Sequence, residues 1–85
     1  MSKYTVILSK KAQKQLDKIS DRFANPILAA IVDLEDNPRP FGYIKLKDRD
    51  GYRIRVGDYR VIYDIYDTTL VVDVIDLGHR REIYG

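Results

Sequence analysis

The chain has 85 residues, room for one domain with a small core. Its 45% hydrophobic and 33% charged residues suit a folded domain rather than a disordered one, no apolar run approaches the roughly 18 residues of a membrane span, and the lack of cysteine excludes disulfides, thiolate metal sites and cysteine nucleophiles. The net charge of +2 is small but unevenly placed: residues 39–60 hold seven basic and three acidic side chains, whereas residues 61–77 hold four aspartates and no basic residue.

One domain over residues 1–85 is therefore expected, with no membrane partner. Met1-Ser2-Lys3-Tyr4 has no apolar signal core, and the expected location is cytoplasmic. Tyr4 to Leu8 is short and β-branched, which predicts a strand. Ser9 is placed to cap a helix carrying Ala12, Leu16 and Ile19 at helical spacing. Asn25-Pro26 reads as the start of a second helix, with Asn25 as cap, Pro26 in the first turn and an apolar stripe of Ile27, Ile31 and Leu34. Asn37-Pro38-Arg39-Pro40 ends it.

The remainder alternates as antiparallel sheet. Ile44-Lys45-Leu46 opens it, residues 48–51 turn, and Tyr52 to Val56 alternates apolar residues with arginine. Gly57-Asp58 is a two-residue hairpin signal. Tyr59 to Tyr66 and Val71 to Leu77 form the next strands, joined by a turn at residues 67–70. Gly78 is expected to end the last strand, and residues 79–84 to form a tail that can resume as a strand after a kink.

A two-residue loop at Gly57-Asp58 sets Val56 opposite Tyr59, Arg55 opposite Arg60 and Arg53 opposite Ile62. The three arginines then share one sheet face, and Tyr52, Ile54, Val56, Val61, Tyr63 and Ile65 share the other, the natural core. A one-residue slip would bury the arginines. Clustered like charges cost a sheet some stability, and the guanidinium fork matches phosphate, so the cluster reads as an anion site. The competing reading has the arginine stems lying over apolar neighbours such as Ile62. The simplest pairing also puts Ile62, Ile75 and Leu77 on this face, either as an exposed partner patch or under a loop or the tail.

Three stretches carry a resemblance. Tyr52-Arg53-Ile54-Arg55-Val56-Gly57-Asp58-Tyr59-Arg60-Val61-Ile62-Tyr63 resembles the central hairpin of RelE-type toxins of the RelE/ParE superfamily. Gly78-His79-Arg80-Arg81-Glu82-Ile83-Tyr84 resembles their C-terminal motif, and Leu34-Glu35-Asp36-Asn37-Pro38 the end of their second helix. The resemblance implies an α+β fold, an N-terminal strand and helical hairpin packed on one face of a twisted antiparallel β-sheet. It implies a cytoplasmic toxin of a type II toxin–antitoxin system, with a cognate antitoxin as partner in a hetero-oligomeric complex. The activity implied is a ribosome-dependent endoribonuclease that cleaves mRNA in the A site by 2′-hydroxyl attack, with no metal and no cofactor.

By the same resemblance the catalytic positions fall on Arg53, Arg55, Arg60, Arg80 and Tyr84. Arg53 and Arg55 stand where the best-known member of the family has lysines. A guanidinium is effectively always protonated, so it binds and polarises better than it accepts a proton. His79 is the single histidine and neighbours Arg80, a candidate acid or base by residue type, but regular alternation sends the two to opposite faces, which makes His79 secondary. The alternatives are a ParE-like poison of DNA gyrase and a catalytically inactive relative that only holds its antitoxin.

Overall fold

The computed structural model describes residues 3–81. In chain order it holds β1 (Thr5–Leu8), α1 (Lys10–Asp17), α2 (Asp21–Asp33), β2 (Ile44–Lys45), β3 (Tyr52–Val56), β4 (Tyr59–Tyr66) and β5 (Val71–His79). The strands form one sheet in the order β1-β5-β4-β3-β2. The fold is α+β, with two helices packed on the sheet. Three pairings are antiparallel, as alternation required, but β1 joins β5 in parallel, Thr5 beside Val71 through Leu8 beside Val74. The helices between β1 and the rest supply the crossover that a parallel pair needs.

The core lies between the helices and one sheet face. Ala12 and Leu16 of α1 and Ile27 and Ile31 of α2, with Leu34, meet Ile54, Val61, Tyr63, Val72, Val74 and Leu77. Ser9 caps α1 as expected, its Oγ accepting from the Ala12 N–H at 3.0 Å. The second helix differs from expectation. It begins at Asp21, and Pro26 lies inside it. The first turn closes without an Asn25 cap, because the Phe23 and Ala24 N–H groups both donate to the Ser20 carbonyl, at 2.9 and 2.8 Å. Pro26 then forfeits only the bond to the Arg22 carbonyl, on an exposed turn where water can replace it. The Phe23 ring, 5.9 Å from that of Tyr59, holds this early turn to the sheet.

The β3–β4 register is the expected one: Val56 with Tyr59, Arg55 with Arg60, Ile54 with Val61, Arg53 with Ile62. Gly57 takes φ +61°, the conformation a primed hairpin turn needs. The β4–β5 pairing departs from the simplest one. Tyr63 pairs with Val74 but Ile62 with Asp76, so Ile75 is the extra residue of a β-bulge. Leu77 therefore pairs with Val61 and is fully buried in the core, not on the arginine face. Helix α1 satisfies the bulge. The Ser9 hydroxyl donates to the Ile75 carbonyl at 2.9 Å, and Gln15 accepts from the Leu77 N–H at 2.9 Å while donating to Asp76 at 2.8 Å. Gly78 does not end the strand either. It pairs with Arg60, and His79 with Tyr59. Residues 80–81 then turn as helix; the expected continuation over residues 82–84 lies outside the described residues.

The segment after α2 is anchored to the sheet. Tyr63 donates to the Pro38 carbonyl at 2.6 Å, and burial holds that phenol above its ordinary range, so it remains a donor. Arg39 meets the Asp67 carboxylate with both terminal nitrogens, at 3.3 and 3.0 Å, and Tyr4 donates to Asp67 at 2.7 Å. The Arg39 guanidinium first, and the Tyr4 hydroxyl second, hold the Asp67 carboxyl below the usual range.

Candidate functional site

Alternation from this register sets Arg53, Arg55 and Arg60 on the sheet face away from the helices, with Arg55 directly across from Arg60. They are not equivalent. Arg55 is exposed, whereas Arg53 and Arg60 are 8% and 7% exposed. Ile62 beside them is 2% exposed, so of the two readings of Ile62, Ile75 and Leu77 the exposed patch does not hold. Two of its members are buried and Ile75 is half-buried at the bulge. The large apolar side chains that are exposed on this face are Ile7, Ile44 and Tyr66.

Arg80 comes to the same end of the sheet. Its N–H donates to the Asp58 carbonyl at 2.9 Å, tying it to the turn that separates Arg55 from Arg60, and its side chain is exposed. Of the five expected site positions, Arg53, Arg55 and Arg60 thus share one face, and Arg80 is tied by its main chain to the hairpin turn beside them; Tyr84 lies outside the described residues. His79 does not join them. It pairs with Tyr59, on the helix-side face, and their rings meet edge-on at 5.7 Å. Its Nδ1 accepts from the Arg81 N–H at 3.3 Å. With Phe23, Pro26 and the hairpin turn, His79 lines a cavity of about 320 Å³ on that side.

The opposite end of the arginine face is acidic. Asp64 stands directly across from Asp73, four residues along β4 from Arg60, or roughly 13 Å at the usual strand rise. The face is thus polarised, and a phosphate is drawn to one end of it. Sequence reasoning did not single out this pair, although the run of four aspartates after Arg60 was its signal. Partial burial first, then Asp73 and Asp50, raise the Asp64 carboxyl above its ordinary value, with Arg49 opposing. The folded state therefore binds this proton more readily than the unfolded chain. Its penalty is absent below about pH 4, and grows as pH rises from there through the raised folded value. Asp64→Asn is accordingly expected to stabilise the fold at pH 7 by about 0.2–1 kcal/mol, nearer the lower figure because the site is largely solvated. Thermal melts at pH 7 and pH 3 check this: the gain should vanish at pH 3, and an equal gain at both would show that charge is not its origin.

The group of residues suits electrostatic work on an anion. Three planar donors that are always charged share one face, a fourth is tied by its main chain to the adjoining turn, and His79 lies on the other face. No group of three or more histidine, aspartate or glutamate side chains among the described residues is arranged to hold a metal ion.

Comparison with known proteins gives a consistent family. Residues 6–84 match the family model described as ParE toxin of type II toxin–antitoxin system, parDE. Toxin RelG of Mycobacterium tuberculosis is 33% identical over 87 residues, covering 95% of each chain. Among solved structures, the archaeal RelE–RelB complex from Pyrococcus horikoshii matches with TM-score 0.81 and 33% identity, over 92% of this chain and 96% of that one. The isolated E. coli RelE toxin matches with TM-score 0.78 and 28% identity, over 95% of this chain and 90% of that one.

Proposed function

The chain belongs to the ParE toxin family of type II toxin–antitoxin systems, RelE-like in fold, and we propose that within it this protein is a ribosome-dependent endoribonuclease that cleaves mRNA in the A site. The observation that carries the reading is the register-fixed pairing of Arg55 with Arg60, beside Arg53 and with Arg80 tethered to the same hairpin turn. Setting like charges opposite one another costs the sheet some stability, and the planar guanidinium fork matches phosphate.

In the proposed reaction the ribose 2′-oxygen attacks the adjacent phosphorus. The 2′-hydroxyl loses its proton, the bond to the 5′-oxygen breaks, and that oxygen takes up a proton. The products are a 2′,3′-cyclic phosphate and a 5′-hydroxyl. Arg55, Arg60 and Arg80 hold the non-bridging oxygens and stabilise the charge that builds on them in the pentacoordinate state. Arg53 extends the cluster toward β2. Tyr84 offers a stacking face to a base. With the arginines protonated and His79 on the far face, this chain contributes charge stabilisation and positioning rather than a proton carrier from those residues. No metal or cofactor is required. The antitoxin, the partner that RelB is in the P. horikoshii complex, silences the toxin by covering or distorting this face.

The match to the ParE model favours a second reading, a gyrase poison that cuts no RNA. Primer extension on mRNA from cells expressing the chain separates the two. Breaks within codons and in reading frame are expected; growth arrest with intact mRNA would overturn the ribonuclease reading.

A further inference from the structure

A second cavity, of about 360 Å³, borders β3 and α2. Ala30 and Asp33 of α2, Pro40, Phe41 and Gly42 of the following turn, and Ile54 and Arg55 of β3 line it. β2 pairs with Tyr52 and Arg53, so among the described residues the β3 edge from Ile54 onward carries no strand, and the cavity is lined by Ile54 and Arg55 there. Arg55 belongs to both places: it faces Arg60 across the hairpin and borders this cavity.

Phe41 is the conspicuous member. Its side chain is wholly exposed, which forfeits the burial that makes a phenylalanine stabilising. It is nevertheless held firmly. The Tyr43 N–H donates to the Pro40 carbonyl at 3.0 Å, and Gly42 has φ +89°, which makes Pro40–Tyr43 a type II turn with Phe41 at its corner. The turn's base is pinned by Tyr63 to Pro38, by the Arg39–Asp67 pair, and by Arg39 lying 5.5 Å over the Tyr52 ring. The ring is thus presented to solvent on a braced turn. The segment that carries it is basic in sequence: residues 39–50 hold Arg39, Lys45, Lys47 and Arg49 against Asp48 and Asp50, with Arg39 paired to Asp67. An exposed aromatic on a basic segment matches a single-stranded nucleic acid, whose bases stack while its phosphates meet the cations.

We propose that this cavity is a nucleobase subsite in which Phe41 stacks on an unpaired base and Asp33 selects guanine. The inference rests on the ribonuclease reading and deepens it, since Arg55 then links the base on Phe41 to a phosphate on the arginine face. The apolar floor of Ala30 and Ile54 accepts a base plane. The Asp33 carboxylate has two acceptors and no donor, which fits the adjacent N1–H and N2–H of guanine; adenine, cytosine and uracil each offer a carboxylate one N–H group on that edge. Asp33 is the last residue of α2, where a negative charge opposes the helix dipole, so the helix itself gains nothing from it.

The test uses the full chain with reconstituted ribosomes carrying mRNAs that place guanine, inosine or adenine at each position of the A-site codon. Inosine keeps N1–H but lacks the 2-amino group. Phe41→Leu is expected to lower kcat/KM about 5- to 150-fold, the equivalent of one base stack, mainly through KM. At one codon position, inosine should be cut more slowly than guanine by wild type and equally by Asp33→Asn. Cleavage by Phe41→Leu within twofold of wild type overturns the proposal, as does an unchanged guanine preference in Asp33→Asn. Weakened antitoxin binding by Phe41→Leu with cleavage intact also overturns it, and marks the cavity as a partner's anchor. If wild type leaves every mRNA intact, the ribonuclease reading has failed and the subsite with it.

Discussion

Arg80→Ala is expected to slow mRNA cleavage about 100- to 1,000-fold while leaving the melting temperature unchanged. The magnitude is that of removing one preorganised donor from developing charge. Arg80 is the cleanest arginine on which to test this. Its side chain is exposed, and its tie to the Asp58 carbonyl is a main-chain bond that alanine preserves. Arg60, in contrast, is 7% exposed, so its removal also disturbs packing on the sheet and mixes stability with chemistry. Single-turnover cleavage on programmed ribosomes, with a thermal melt of the same preparation, is the measurement. A folded Arg80→Ala protein that cuts as fast as wild type would remove Arg80 from the site. A loss confined to KM would make it a binding residue that does not act on the transition state.

Leu77→Ala is expected to cost about 2–5 kcal/mol of folding stability, whereas Ile75→Ala should cost under about 1 kcal/mol. The contrast follows from the bulge. Leu77 has no exposed surface and pairs with Val61 at the centre of the core, while half-buried Ile75 is the unpaired extra residue. A domain of this size has a total stability of roughly 4–13 kcal/mol, so the Leu77 variant should be largely unfolded at the lower end of that range. Urea denaturation of the two variants checks it. Equal losses would mean that the bulge does not set which residue enters the core. The catalytic face depends on the same feature. The bulge brings Gly78 opposite Arg60 and His79 opposite Tyr59, and so decides which residues of the C-terminal motif flank the arginines.

The sequence alone determined those parts of the molecule whose physics is local. Gly57-Asp58 permits a two-residue turn, and from that turn the pairing of Arg55 with Arg60 and the separation of arginines from core residues followed by alternation. Ser9 as a cap is equally local, since its partner is three residues away. Tertiary structure decided the rest. The bulge at Ile75 is stabilised by Ser9 and Gln15, more than sixty residues distant in the chain, and no pattern within β5 announces it. Leu77 therefore entered the core against the simplest pairing, and His79 took the helix-side face together with Tyr59. α2 starts before Asn25-Pro26 for a related reason: Pro26 is a strong local signal, but the turn ahead of it is held to the sheet by Phe23 against Tyr59, thirty-six residues on. The cavity beside Phe41 escaped the sequence altogether, because it is made by three segments that meet only once α2, the braced turn and the edge of β3 have packed together.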